Sequence, residues 1–431
     1  MNLPAEPVRQ KLPAPAKSGP EREAALQIVR VLREAGHSAY FAGGCVRDNL
    51  LGVDPVDYDV ATDATPDVVR RLFRGAKAVG ESFGVVLVRR GEVVTEVATF
   101  RREWGYTDSR HPDNVEFADE AADAFRRDFT INALFEDPLS GEVIDYVGGL
   151  SDLQKKLIRA VGDPFNRLEE DHLRALRAVR FAARLSFEIE QRTVNAIRLS
   201  ARYLRGISRE RIGEEMRLLL TGANRSRGVK LLQELTLDAP VLREPSKQAE
   251  PAILSALPRD VSYPLALVAW VCDRRPGWRT ERLAVEAPIL TRELRSALML
   301  KNRDTATVRS LLRKLTIVEN NWPELTLAER KRLAAEPYFP DLLLLLKARK
   351  PEVSQKVENE VNQFRSEGLT PEPFLDGNDL ARMGLKPGPI FGKLLNEVYD
   401  AQLEGDIRNR TEAEAFIRNR LQQLSNNDEG R

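Results

Sequence analysis

Residues 41–63, FAGGCVRDNLLGVDPVDYDVATD, set two glycines, an Arg-Asp pair and two aspartates within one short segment. Asp57 and Asp59 are two apart in a stretch of strand character, so both carboxylates project from one face. Two such groups repel unless a cation lies between them. A hard divalent ion with oxygen ligands meets that need, Mg²⁺ when phosphate is the partner. A pair of such ions would activate an attacking hydroxyl and neutralise a leaving pyrophosphate. Glu96, on the neighbouring VVTEVATF segment, is a third candidate carboxylate. A lone D-x-D also occurs in ordinary surface turns, so the preceding GGCVRD carries weight. Gly43 and Gly44 allow close backbone approach, and N–H groups at a helix start can bind phosphate oxygens. Arg47 adds a charge-assisted fork for the same oxygens. Neither a GKS/T ending nor G-x-G-x-x-G spacing is present, so this is no P-loop and no dinucleotide fingerprint. The combination points to nucleotidyl transfer.

A second set lies in EDHLRALRAVR. Read as helix, Asp171 and Arg174 are three apart on one face, which Arg177 and Arg180 continue. Cytosine and adenine each present an amino donor beside a ring-nitrogen acceptor. A carboxylate and a guanidinium match that edge, and uracil and guanine would leave both unpaired. The plain alternative is an i, i+3 ion pair. Between residues 172 and 230 there are 14 Arg and Lys against 5 Asp and Glu, although the net charge of the chain is only +1. Such a stretch suits a nucleic-acid backbone, or else a solvated helical face with ordinary ion pairs.

The elements that must position these residues are of two kinds. At 431 residues the chain exceeds what one hydrophobic core usually holds, so two or more domains are expected. The first 21 residues read as a flexible Pro-rich tail without a signal-peptide core. REAALQIVRVLREA has helical spacing and stops at Gly36. From there to about 147, strands (SAYFAGG, DYDVAT, FGVVLVRRG, VVTEVATF, EVIDYVGG) alternate with helices, including TPDVVRRLF, capped by Thr65 and Pro66, and DAFRRDFTINALF. Beyond 150 no strand is expected. RLEEDHLRALRAVRFAARLSF reads as one long amphipathic helix, Ser208 as the cap of the next, and Thr411 with Glu414 as a capping box for the last. The fold class is α+β: a small α/β head followed by an elongated helical part. Two cysteines give neither a disulfide framework nor a zinc cluster, and no apolar run reaches membrane-spanning length. A cytoplasmic enzyme or binding protein is the expectation, with no membrane partner.

GGCVRD with DYD resembles the first motif of class II tRNA nucleotidyltransferases, a polymerase-beta-like branch that includes bacterial poly(A) polymerases. RRDFTINAL, DYVGGLSDLQKKLIRAVGDP, EEDHLRALRAVRFAA and the C-terminal DLARMGLKPGPIFGKLLNEVYDAQLEGDIRNRTEAEAFI continue the resemblance in order. It implies a catalytic head at 22–147, a base-recognising neck at 148–235, a body at 236–360 and a tRNA-binding tail at 361–431. It also implies that Gly44, Arg47, Arg127 and Asp128 hold the triphosphate and ribose, with Arg177 and Arg180 nearby. Arg127-Asp128 could otherwise be a helix-surface pair. Asp145 and Gly148-Gly149 resemble the family's hinge, or form a simple turn. The implied activity is addition or repair of the 3′-terminal CCA of tRNA from CTP and ATP, with Mg²⁺ as cofactor and no DNA partner. Poly(A) polymerase is the nearest rival, and VGESFGVVLVRRG stands where those enzymes carry a more basic stretch. A full-length TFRREWGYTDSRHPDNVEFADEAADAF segment disfavours CC-only addition and leaves A-only addition open. An RNA-binding protein with a decayed site would not need Asp57, Asp59, Arg47, Asp171 and Arg174 all intact. The three histidines leave no His-Asp phosphohydrolase site in the later helices.

Overall fold

A computed structural model describes residues 6–11, 19–78, 84–105 and 113–428. The chain divides into two compact units, Met1–Ala249 with Ser296–Met299, and Glu250–Arg295 with Leu300–Arg431.

The first unit begins with β1 (Val8–Lys11), α1 (Pro20–Glu34), β2 (Ala39–Ala42), α2 (Gly44–Leu50), β3 (Asp59–Thr62) and α3 (Pro66–Leu72). It continues through β4 (Lys77–Ala78), β5 (Val85–Arg90), β6 (Val93–Thr99), β7 (Arg101–Trp104), β8 (Asn114–Phe117), α4 (Glu120–Arg126), β9 (Leu134–Asp137) and β10 (Glu142–Asp145). Eight strands form one sheet in the order β1-β10-β9-β2-β3-β6-β5-β4. Only β3 and β6 pair in parallel within it, with Val60 opposite Val97; the other neighbours are antiparallel. The central β2 is buried along its whole length. Tyr40, Phe100 and Phe135 gather around it with ring centroids about 6 Å apart. This core fixes the ends of β2 and β3, from which the D-x-D and GGCVRD segments leave.

Several elements differ from the sequence reading. Val8–Lys11, expected to be flexible tail, pairs with β10 through backbone bonds that Pro content elsewhere does not prevent. DAFRRDFTINALF is not one helix. α4 ends at Arg126, Arg127 turns to extended backbone, one 3₁₀ turn covers Thr130–Asn132, and β9 follows. Leu134 to Phe135 is strand because the sheet needs a buried partner for β2, a tertiary demand that helical spacing does not register. The segment around residues 99–125 also forms the antiparallel β7–β8 pair; residues 106–112, like residues 79–83 of VGESFG, lie outside the described residues.

Asp145 explains the next turn. Its carboxylate accepts four backbone N–H groups, from Val147, Gly148, Gly149 and Leu150, at 2.9–3.0 Å. A Cβ on Gly149 would lie 2.3 Å from the Thr130 carbonyl oxygen, so only glycine permits this approach. There follow α5 (Gly149–Gln154), β11 (Leu157–Ile158), α6 (Pro164–Glu170), α7 (Arg174–Leu185), β12 (Glu188–Ile189), α8 (Gln191–Ser200), α9 (Arg209–Leu220) and α10 (Arg225–Glu234). Strands thus persist past residue 150 as the short parallel β11–β12 pair. The expected long helix is interrupted, because Asp171 has extended backbone and α7 starts three residues later. α7 buries Ala175, Leu176, Ala178, Val179 and Ala182 against α9 and α10, which leaves Arg174, Arg177, Arg180 and Arg184 on its other face.

The second unit is helical throughout its described residues. Tyr263–Asp273 is buried on every side and packs against Asn302–Thr316 and Phe339–Arg349. Leu380, Leu394, Val398, Ile407, Ala413 and Ile417 form a separate core near its end. The last helix starts at Arg410, not Thr411. Asn409 and Glu412 cap it, Asn409 accepting from the Glu412 N–H and Glu412 from the Arg408 N–H. No described helix is long and apolar enough to cross a membrane.

Candidate active site

β2 ends at Ala42 and is followed by Gly43, whose φ of +77° lies where L side chains are strained; a Cβ there would meet Arg127 Nη1 at 2.9 Å. The chain can then turn directly into α2, which carries Arg47 and Asp48. Gly44 meets no such obstacle. From the opposite side α7 presents its arginine face, and α9 adds Glu210, Arg211, Glu214 and Glu215. Between them lies a cavity of about 910 Å³, room enough for a nucleotide.

Gly43, Gly44, Arg47, Asp57, Asp59, Arg127, Asp128, Asp171, Arg174, Arg177 and Arg180 all line it. Of the sequence candidates only Glu96 does not. Glu96 sits on β6 beside the start of β3, where its charge still acts on Asp59. Asp57 lies two residues before β3, which begins at Asp59, so the pair is not set by alternation within one strand. Among the described residues neither carboxylate accepts a hydrogen bond or forms an ion pair. Asp59 opens to the cavity, yet the protein around it and the charges of Asp57 and Glu96 raise its pKa to about 6, with Arg127 opposing.

The remaining charges are tied to one another. Arg47 is buried and bonded to Asp48 at 2.7 Å and to Asn132 Oδ1 at 2.5 Å; burial lowers its pKa while Asp48 opposes the shift. Asp48 also binds Arg184. Asp128 accepts from Arg177 Nε and Nη2 at 2.8 and 2.6 Å on one oxygen, and from Phe129 N and Asn132 Nδ2 on the other. Burial works to raise its pKa, but Arg177, these hydrogen bonds and the charge of Arg174 bring it down to about 2. Arg127, at the C-terminal end of α4, is held by Asp123 and by the Asn132 carbonyl. Glu215 holds Arg180 at 2.6 Å and reaches Arg177 at 3.5 Å.

Asp171 and Arg174 do not pair with each other. Arg211 donates to both oxygens of Asp171, at 3.2 and 2.6 Å, and Arg174 binds Glu170 and the Arg167 carbonyl. The break in the helix at Asp171 separates the two from simple i, i+3 geometry, although both face the cavity. Sequence reasoning missed Asn132, Asp48, Arg184, Arg211 and Glu215. Asn132 lies inside the RRDFTINAL motif and Asp48 inside GGCVRD, and both could have been singled out there; Arg184, Arg211 and Glu215 carry no local signal.

The charges lining the cavity balance. Eight arginines (47, 126, 127, 174, 177, 180, 184, 211) face eight carboxylates (48, 57, 59, 128, 171, 210, 214, 215). A polyanion entering a cavity of zero net charge must bring cations or displace carboxylates. Asp57 and Asp59, acidic and without protein partners among the described residues, fit a hard cation by donor type. No cluster of three or more ligating side chains occurs among the described residues, so such a cation would share its coordination with the ligand.

Residues 39–159 match the poly A polymerase head domain, and residues 186–248 match a family described as probable RNA and SrmB-binding site of polymerase A. The chain is 34% identical to the CCA-adding enzyme of Limosilactobacillus fermentum, over 90% of this chain and 94% of that protein. Among solved structures it resembles the Bacillus stearothermophilus CCA-adding enzyme in complex with CTP (TM-score 0.74, 28% identity, 95% of this chain and 100% of that one). It also resembles a tRNA nucleotidyltransferase complexed with a primer tRNA and an incoming ATP analog (TM-score 0.59, 26% identity, 80% and 100%). The chain belongs to the family of bacterial CCA-adding enzymes, class II nucleotidyltransferases of the poly(A) polymerase-like superfamily.

Proposed function

We propose that this enzyme builds or repairs the 3′-terminal CCA of tRNA without a nucleic-acid template, transferring CMP and AMP from CTP and ATP with release of pyrophosphate. The observation that carries the reading is the likeness to the Limosilactobacillus fermentum enzyme over 90% of this chain and 94% of that protein. In this reading residues 22–147 perform the transfer, 148–235 choose the base, 236–360 form a helical body and 361–431 hold the tRNA.

Enzymes of this family use a divalent metal ion, and we assign Mg²⁺ to Asp57 and Asp59, with Glu96 adding a third negative charge from the adjacent strand. When bound, the ion offsets phosphate charge and favours the deprotonated form of the attacking 3′-hydroxyl. The protein does the rest by positioning. Gly43 and Gly44 leave the backbone open to the phosphates; Arg47, Arg127, Arg177 and Arg180 direct N–H groups to phosphate and ribose; Asp128 holds Arg177 in orientation. Asp171 accepts from the amino group of C or A, and Arg174 donates to the adjacent ring nitrogen. Both are engaged by protein partners in the absence of nucleotide, so base recognition is an exchange: the base takes over bonds now made by Arg211 and Glu170. A base offering the opposite donor order cannot complete that exchange.

The test is incubation of the protein with tRNA transcripts ending before CCA, after C and after CC, with CTP and ATP singly and together. Extension of all three to full CCA is expected. Extension of only the last would make the enzyme A-adding, stopping after CC would make it CC-adding, and long A tracts would make it a poly(A) polymerase.

A further inference from the structure

Phe181 lines the cavity from α7 and is buried. Three guanidinium groups surround its ring. The Cζ of Arg180 lies 4.3 Å from the ring centroid, that of Arg47 5.2 Å and that of Arg177 5.4 Å. Arg47 comes from α2, while Arg177 and Arg180 come from the same helix as the ring, so one aromatic side chain joins the cations of two elements. It also meets the Phe129 ring edge-on, at 5.9 Å and 77°.

Guanidinium groups gathered this closely repel one another, and two kinds of partner hold them. The carboxylates of Asp48, Asp128 and Glu215 bind N–H edges, the same edges a phosphate needs. An aromatic ring attracts the cation through its face and consumes no N–H donor. We propose that Phe181 is a positioning residue for nucleotide binding, its ring holding Arg47, Arg177 and Arg180 together without using any of the N–H donors that the carboxylates now engage and the triphosphate would take over. The proposal rests on the reading that these arginines bind the nucleotide. It goes further in assigning their alignment to a side chain with no polar atom.

The test replaces Phe181 in the full-length protein by mono-, di- and trifluorophenylalanine. This series keeps the ring's shape and progressively removes its negative face. Equilibrium dissociation constants for CTP and ATP are measured with Mg²⁺ and without tRNA, so that no turnover intervenes. A stepwise weakening is expected, reaching about tenfold at three fluorines and equal for both nucleotides, because the ring acts on the triphosphate side. The same substitutions at Phe129 alter the aromatic contact but touch none of the three arginines, and should leave both constants unchanged. Phe181→Leu, which keeps an apolar side chain, should weaken binding at least as much as trifluorophenylalanine. A flat series at position 181, or an equal slope at position 129, overturns the proposal. Arg47→Ala and Arg180→Ala separate the two levels. If they weaken binding while the fluorine series is flat, only the role of Phe181 falls. If they too leave binding unchanged, the nucleotide-site reading falls with it.

Discussion

Replacing Asp128 by Asn should cost stability in a way that pH exposes. The carboxylate has a pKa of about 2 against an ordinary 3.8, and only a tenth of the side chain is open to solvent. A depression of that size corresponds to about 2.5 kcal/mol of stability. The group is lowered in the folded state, so the unfolded chain binds the proton first as acid is added. The contribution is therefore complete above pH 3.8, declines by about 1.4 kcal/mol per pH unit below it, and is gone once pH falls through 2. The amide oxygen introduced by Asp128→Asn could still accept from the Phe129 N–H, so the backbone turn should survive while the pair with Arg177 does not. Urea unfolding of both proteins, from pH 7 to pH 2.5, should show a gap of about 2.5 kcal/mol that is constant down to pH 4 and then closes. At pH 7.5 the KM for CTP and ATP should rise together, since Arg177 keeps only its longer contact with Glu215. A gap that persists undiminished at pH 2.5 would mean that Asp128 acts through packing and not through its charge.

If Asp57 and Asp59 hold the metal as proposed, Asp57→Ala or Asp59→Ala should reduce transfer of every nucleotide by several orders of magnitude while tRNA affinity, read by filter binding, stays intact. Asp171→Ala should lower CTP and ATP incorporation and narrow discrimination against UTP and GTP by about 1–3 kcal/mol in single-nucleotide kinetics; one common slowing of all four would remove its base-reading role. Affinity for tRNA should fall steeply between low and high salt with little dependence on acceptor-arm sequence, as fluorescence titration would show, and a salt-independent constant would contradict a phosphate footprint. Gly149→Ala should destabilise the first unit by about 1–3 kcal/mol in thermal unfolding, since its Cβ meets a backbone carbonyl that cannot swing away.

The motifs were legible where chemistry needs particular residue types close together in sequence. Gly43 is one such position: its glycine identity, its place after a strand and the arginine four residues on all read correctly, and positive φ supplies the reason. Strand and helix content was readable where hydrophobic period was clear, as in β6 and α7. It failed at Leu134–Asp137, where a helical pattern yields to the demand of β2 for a paired neighbour, and at Asp171, where an amphipathic run is cut by a single extended residue. The partners of the site were the least visible. Arg211 lies 40 residues from Asp171, and Arg184 lies 136 from Asp48, so nothing local announces either pair. Nor does periodicity distinguish Phe181 from the other apolar positions of its helix; only folding shows which cations gather on it.

β1 bears on how the protein can be handled. The eight-stranded sheet ends in two short strands, β1 on one side and the two-residue β4 on the other. Every residue of Val8–Lys11 is exposed, so β1 contributes little to the core. What it does is occupy the backbone donors and acceptors of β10, from Glu142 to Asp145. A shortened chain starting at residue 20 would keep the cavity and both hydrophobic cores, but would leave β10 as a bare border open to pairing with the same border of another molecule. Solubility and monodispersity, more than turnover, are the properties that removing those four residues should impair.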